Sequence, residues 1–280
     1  MIRNVLSVLL VSSILLISIG GTGCSKSKKD VVINPSDVGS AELMYKKANS
    51  YIKKNPDKAR LLFKEIIQLY PENIYAKKSK IGIADSYFKQ RDSASMIIAF
   101  AEYQEYANYY PDSPDAIYAR LQAGVCYYKM KHGPGRDQTN TFKAVEVFES
   151  LIKAYPDTEE AKEAKKYVKE LRIILGKHFY KIGKSNYILK AYRGAITRFK
   201  QVMDNYPEFE ANDKLMYFTG MSYTKIREYD TATSFFQRVI SSYPKSKLAN
   251  KSKNMLEKIV DLRKTAPKQK PPTPDQKKKK

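Results

Sequence analysis

The sequence predicts an all-α solenoid of five helical hairpins, and three observations predict it. The dipeptide Tyr-Pro occurs five times, at Tyr70-Pro71, Tyr110-Pro111, Tyr155-Pro156, Tyr206-Pro207 and Tyr243-Pro244. An aromatic stands eight positions before each Pro: Phe63, Tyr103, Phe148, Phe199 and Phe236. An Ala stands four positions before each aromatic: Ala59, Ala99, Ala144, Ala195 and Ala232. No copy breaks this Ala-x3-aromatic-x7-Pro pattern, and self-similarity of this kind marks a repeat array.

The pattern reads as the second helix of each hairpin. Residues at i and i+4 share one face of a helix. The Ala lets a neighbouring helix approach, and the aromatic fills the space beyond it. Apolar residues continue the stripe, as in Phe63, Ile66, Ile67 and Tyr70. Pro then stops the helix, because it lacks an N–H and disfavours the helical conformation at the residue before it.

A preceding helix carries its own mark. Ala48-x2-Tyr51, Ala84-x2-Tyr87, Gly124-x2-Tyr127 and Gly220-x2-Tyr223 put a small residue one turn before an aromatic. Two helices per unit, small where they cross, resemble the tetratricopeptide repeat and imply a right-handed solenoid. Successive prolines are 40, 45, 51 and 37 residues apart, longer than that repeat's period of about 34. The first excess falls around Gln90 to Ser95, and the second is a loop from Met130 to Thr141. The third lengthens the first helix of the fourth unit, since Glu159 to Leu189 contains no Gly-Pro break. In that unit Gly183-x2-Asn186 has Asn in place of the aromatic.

The ends differ from the repeats. Arg3 precedes an apolar run from Val5 to Ile19, then Gly20-Gly21-Thr22-Gly23 and Cys24. A basic start, an apolar centre and small residues make a secretory signal at 1–23. Small residues ending at a Cys resemble a bacterial lipobox, in which Cys24 would be acylated, although Gly21 stands where such a box has Leu. Ordinary cleavage and an uncleaved anchor are the other readings, the run being near the length a bilayer needs. Ser25 after the Cys resembles lipoproteins sorted to the outer membrane. Residues 24–40 read as a flexible tether. Residues 265–280 hold four prolines and a final run of four lysines, and cannot bury a core. That tail is a solvated segment or a weak attractor of anionic headgroups.

The formal net charge is +22. Such a balance suits nucleic acid, an acidic partner or an anionic membrane, or simply solvated Lys-rich helix faces. No Arg-rich run with interleaved aromatics argues for nucleic acid. Cys126 lies in an apolar helical run and reads as a buried thiol. His132 and His178 have no Cys or carboxylate neighbours at metal spacing. No nucleophile elbow, P-loop or dinucleotide fingerprint is present. The expectation is a binding protein with no catalytic residues, metal or cofactor.

The lipoprotein signal, the five units and the basic tail together resemble the BamD family of outer-membrane barrel-assembly lipoproteins, over roughly Ala41 to Ile259. Arg136-Asp137-Gln138-Thr139 looks like a family insertion. Leu171-Arg172 and Ala191-Tyr192-Arg193-Gly194-Ala195-Ile196-Thr197-Arg198-Phe199 resemble the family's long helix and the turn after it. Phe179 departs from the family, which usually has Glu there. The resemblance implies a scaffold on the periplasmic face of the outer membrane, beside accessory lipoproteins. Units 3–5 (residues 115–264) would dock on a POTRA-bearing channel, with Arg198 the matched contact and Arg136 and Asp137 beside it. Units 1–2 (residues 41–114) would receive unfolded outer-membrane proteins. By repeat position Tyr45, Asn49, Asp85 and Phe88 would line that groove. Inter-repeat packing is the other reading of these four, and a surface ion pair the other reading of Arg198. A different tetratricopeptide lipoprotein, such as a secretin pilotin or an envelope coordinator, is the alternative function.

Overall fold

The computed structural model describes residues 38–265. The signal segment, Cys24, most of the expected tether and the tail beyond Thr265 lie outside the described residues. Five hairpins follow one another: α1 (Val38–Tyr51) with α2 (Pro56–Leu69), α3 (Ile74–Gln90) with α4 (Ser93–Tyr109), α5 (Pro114–Lys129) with α6 (Thr139–Ala154), α7 (Glu159–Ile188) with α8 (Tyr192–Asn205), and α9 (Asn212–Lys225) with α10 (Tyr229–Ser242). An eleventh helix among the described residues, α11 (Lys247–Thr265), closes the array. Each helix packs on the next in the chain, which makes an all-α solenoid. Two expected boundaries move. Helix α1 begins at Val38 rather than at 41, since Ser40 is already buried beside Ala41. Helix α11 runs through Thr265, where the tail was expected to begin.

The repeat signal is the core. Ala59, Ala99, Ala144, Ala195 and Ala232 are fully buried, as are Phe63, Tyr103, Phe148, Phe199 and Phe236. Truncating one such aromatic to Ala costs about 3–5 kcal/mol. The small residues of the first helices receive these rings. Gly124 faces the Phe148 ring, and Gly220 faces Phe236, where an added Cβ would stand 3.0 Å from the ring. Gly183 meets Phe199 in the same way, 2.5 Å from Cε1 for an added Cβ. The fourth unit therefore keeps the common register, although Asn186 replaces the aromatic one turn on.

Each Tyr-Pro signal builds one turn. The Tyr before the Pro leaves the helix with ψ between 53° and 65°, while its N–H still donates four residues back. Its carbonyl accepts the N–H three residues ahead, at Asn73, Ser113, Thr158, Phe209 and Ser246. Pro thus occupies the second position of a β-turn, where its fixed φ is already correct. In four of these turns the donor residue also caps the next helix through its side chain: Asn73, Ser113, Thr158 and Ser246. The other kind of turn, inside a unit, uses a different device. Arg91, Lys190 and Arg227 adopt positive φ there, at 63°, 62° and 67°.

Two elements exceed the repeat. Helix α7 has 30 residues and touches α5, α6, α8 and α9. Helix α11 packs on α9 and α10 and inserts Ile259 beside Phe235, Phe236 and Tyr223. It covers the apolar end that a terminal repeat would otherwise expose.

Candidate functional site

The loop between α5 and α6 is held from within by Gln138. That side chain is buried, and its Nε2 donates to the carbonyls of Gly133 at 2.8 Å and Arg136 at 3.0 Å. Its Oε1 accepts from Thr141 Oγ1 at 2.8 Å. Asp137 accepts from the backbone N–H and the hydroxyl of Thr139, both at 3.0 Å. Those two bonds, the backbone one first, hold its carboxyl below the ordinary Asp range. Arg136 projects from this braced loop and is exposed.

Helix α7 supports the loop from the other side. His178 Nδ1 lies 3.0 Å from the carbonyl oxygen of Pro134. Its neighbour Phe179 is nearly buried, stacks on Tyr206 with centroids 5.6 Å apart, and lies 6.3 Å from Phe142 at the start of α6. Arg198, from α8, sits over the same Phe179 ring at 5.7 Å and donates to Gln201 Oε1 at 2.8 Å. Among the described residues no carboxylate lies within ion-pair reach of Arg198. The two sequence-distant candidates, the Arg136–Asp137 loop and Arg198, are therefore tied to one another through His178 and Phe179. The tie is not legible from the sequence, because no repeat position or spacing says that His178 reaches the loop or that Phe179 lies under Arg198.

Arg172 supports the far side of α7. It pairs with Glu149 at 3.3 Å and with Glu208 at 3.1 Å, and donates to the carbonyl of Asn205 at 2.9 Å. One guanidinium thus joins α6, α7 and the turn after α8, the fork geometry that suits Arg to such sites.

The N-terminal candidates lie in a different setting. Tyr45 packs between Phe63 at 5.7 Å and Tyr75 at 5.4 Å. Asn49 is exposed and donates to the Tyr45 carbonyl at 3.0 Å. Asp85 accepts from the hydroxyls of Tyr103 and, at 3.2 Å, Tyr118. Burial first of all pushes its carboxyl above the ordinary range, and the two hydroxyls oppose that rise. Phe88 meets Tyr103 edge-on at 6.5 Å. Tyr45, Asp85 and Phe88 are thus built into contacts between helices, and Asn49 is the one of the four that faces solvent. Cys126 is fully buried, and burial pushes its thiol up to about 12. Among the described residues no helix is long and apolar enough to cross a membrane.

Stacked helical hairpins with a braced loop and an exposed basic residue define a helical repeat scaffold, a class of fold that offers extended surfaces. Residues 37–228 match the YfiO family, described as "Outer membrane lipoprotein", and residues 216–246 match a tetratricopeptide repeat. The chain belongs to this outer membrane lipoprotein family, that of BamD. It is similar to the outer membrane protein assembly factor BamD of Rickettsia prowazekii, 27% identical over 85% of this chain and 92% of that protein. The BamD of Caulobacter vibrioides is 24% identical over 68% of this chain and 62% of its own length. That of Xylella fastidiosa is 27% identical over 80% and 76%.

Proposed function

We propose that this chain is a lipid-anchored scaffold of outer-membrane barrel assembly, held on the periplasmic face of the outer membrane through Cys24. Units 3–5 dock on a POTRA-bearing channel, alongside accessory lipoproteins, and units 1–2 help receive unfolded outer-membrane proteins. The observation that carries the docking half is the chain of contacts from the Arg136 loop through His178 and the buried Phe179 to Arg198. Its two ends are the residues that the family resemblance implies as an insertion and a channel contact. Arg198 is free of any ion pair among the described residues, so its charge remains available to a partner carboxylate, as hydrogen-bonded charges at interfaces require. Asn49, with the edges of Tyr45 and Phe88, supports the receiving half. The test is an affinity pull-down from gently solubilised membranes, with partners identified by mass. Recovery of a POTRA-bearing channel with the native chain, and its loss with Arg198→Glu at unchanged helicity, is the expected result. Recovery of the chain without any such channel would sink the proposal. Cys24→Ala should leave the precursor uncleaved and unacylated, and unchanged mobility and fractionation would refute the anchor.

A further inference from the structure

The alternation of helix directions gives the solenoid two edges. One edge holds the turns inside units, the other the Tyr-Pro turns between units. Each turn joins one helix C-terminus to one N-terminus, so the helix macrodipole favours neither sign on either edge. The charges nevertheless separate. Every turn inside a unit, counted with the helix residues that flank it, carries at least two bases, from Lys53 and Lys54 in the first to Lys225 and Arg227 in the fifth. The three residues at positive φ, Arg91, Lys190 and Arg227, are all basic and all on this edge. Most acids on it are spoken for within the fold. Asp57 pairs with Arg60, Asp92 and Asp137 cap helices, and Asp230 meets Arg263 at 2.5 Å. The turns between the first five units are acidic instead, from Glu72 in the first to Glu208 and Glu210 in the fourth.

The turn between α7 and α8 stands out on the basic edge. Residues 184–193 contain Lys184, Lys190 and Arg193 and no acid. At its apex two consecutive aliphatic residues project outward, Ile188 at 69% and Leu189 at 76% exposure. Tyr187 and Tyr192 flank them, with rings 5.7 Å apart. Lys184 rests on the Phe218 ring at 3.3 Å, which leaves Lys190 and Arg193 as the exposed bases. Aliphatic residues at a tip, tyrosines behind them and bases around them match the order of layers at a bilayer surface: acyl chains, interface, phosphates. The C-terminal end of α11 belongs to the same edge. Arg263, bonded to Asp230, sets the end of α11 beside the first turn of α10. The chain that follows carries Lys268, Lys270 and the four lysines 277–280.

We propose that the edge formed by the turns inside units is a membrane-facing surface, on which Ile188 and Leu189 enter the interface of an anionic bilayer and the surrounding bases meet its phosphates. The shape favours lipid over an acidic protein. A protruding apex needs a matching cleft in a folded partner, whereas a fluid bilayer needs none. The charge is lysine-led and spread along five turns, as suits diffuse headgroups better than the fork recognition of a few carboxylates. The inference does not rest on channel docking.

The chain contains no tryptophan, so Leu189→Trp places a single tryptophan at the apex, excited selectively over the tyrosines. The full chain carrying it is reconstituted into vesicles of phosphatidylcholine, with or without phosphatidylglycerol. A blue-shifted emission, quenched by brominated acyl chains in the phosphatidylglycerol vesicles and lost on adding Lys190→Glu and Arg193→Glu, is expected. Tyr109→Trp, at a 73% exposed position on the opposite edge, should stay open to aqueous acrylamide in both. Circular dichroism checks that each variant is folded. Equal acrylamide access at position 189 in both vesicle types overturns the proposal, and so does shielding that appears only when an acidic soluble protein is added.

Discussion

Arg198 lays its guanidinium on the face of Phe179, 5.7 Å from the ring centroid. The arrangement keeps the Arg in place through ring and Gln201 contacts without neutralising it. Its position and its charge are therefore separable. Phe179→Ala should lower stability by about 3–4 kcal/mol, since it empties the space against Tyr206. Arg198→Ala should cost no more than about 1 kcal/mol. Urea unfolding followed by circular dichroism measures both, and a large loss for Arg198→Ala would contradict the separation.

The Asp85 carboxyl gives the fold a pH dependence. Its folded-state pKa lies above the ordinary Asp value because burial penalises the charged form. The sign follows from linkage: the contribution to stability is full below the ordinary value and is lost as pH rises through the raised one. Asp85→Asn, which still offers an acceptor to Tyr103, should remove that slope from denaturation midpoints measured upward from about pH 4. Asp85→Leu should instead cost about 1–3 kcal/mol at neutral pH, because the buried Tyr103 hydroxyl loses its acceptor. A slope that survives Asp85→Asn would place the titrating group elsewhere.

Gly183 has no room for a methyl group, because Phe199 fills it. Gly183→Ala should destabilise by about 1–3 kcal/mol despite the better helix propensity of Ala. Gly39→Ala is the matched control, with nothing within 4 Å of an added Cβ. Equal midpoints for the two variants would show that the ring moves aside freely.

Lys190 holds a left-handed conformation, with φ at 62°. Lys190→Gly should raise stability by about 0.5–1 kcal/mol, since Gly adopts that region without the Cβ clash. A thermal-melt midpoint no higher than that of the native chain would count against it. The same variant should weaken vesicle binding if the edge faces lipid, so the two readouts move in opposite directions.

The sequence carried the fold well because its repeat signal is itself the packing. The Ala, the aromatic and the small residue facing it all lie at the helix crossings, so their spacing reports contacts directly. The long α7 was legible from the absence of a break between residues 159 and 189. Helix α11 was not marked, since it follows the last Tyr-Pro and needs no turn after it. The site was legible only in part. Repeat position says which face of a helix Asp85 or Tyr45 occupies, but not which side chains reach it from the next unit. Tyr118, 33 residues along the chain from Asp85, arrives from another hairpin. Gln138 is a polar residue in a loop, and nothing in its neighbours signals that it is buried beneath that loop.

Helix α7 alters the mechanical character of the array. A regular solenoid is a chain of links in which each hairpin can open with only its neighbours' consent. A continuous rod of 30 residues, about 45 Å at 1.5 Å per residue, crosses that articulation and acts as a keel. Its first half packs on α5 and α6 and its second half on α8, so bending α5 and α6 away from α8 would require breaking or undocking it. The two halves of the molecule are accordingly yoked, and a load applied at one end is carried through the middle to the other.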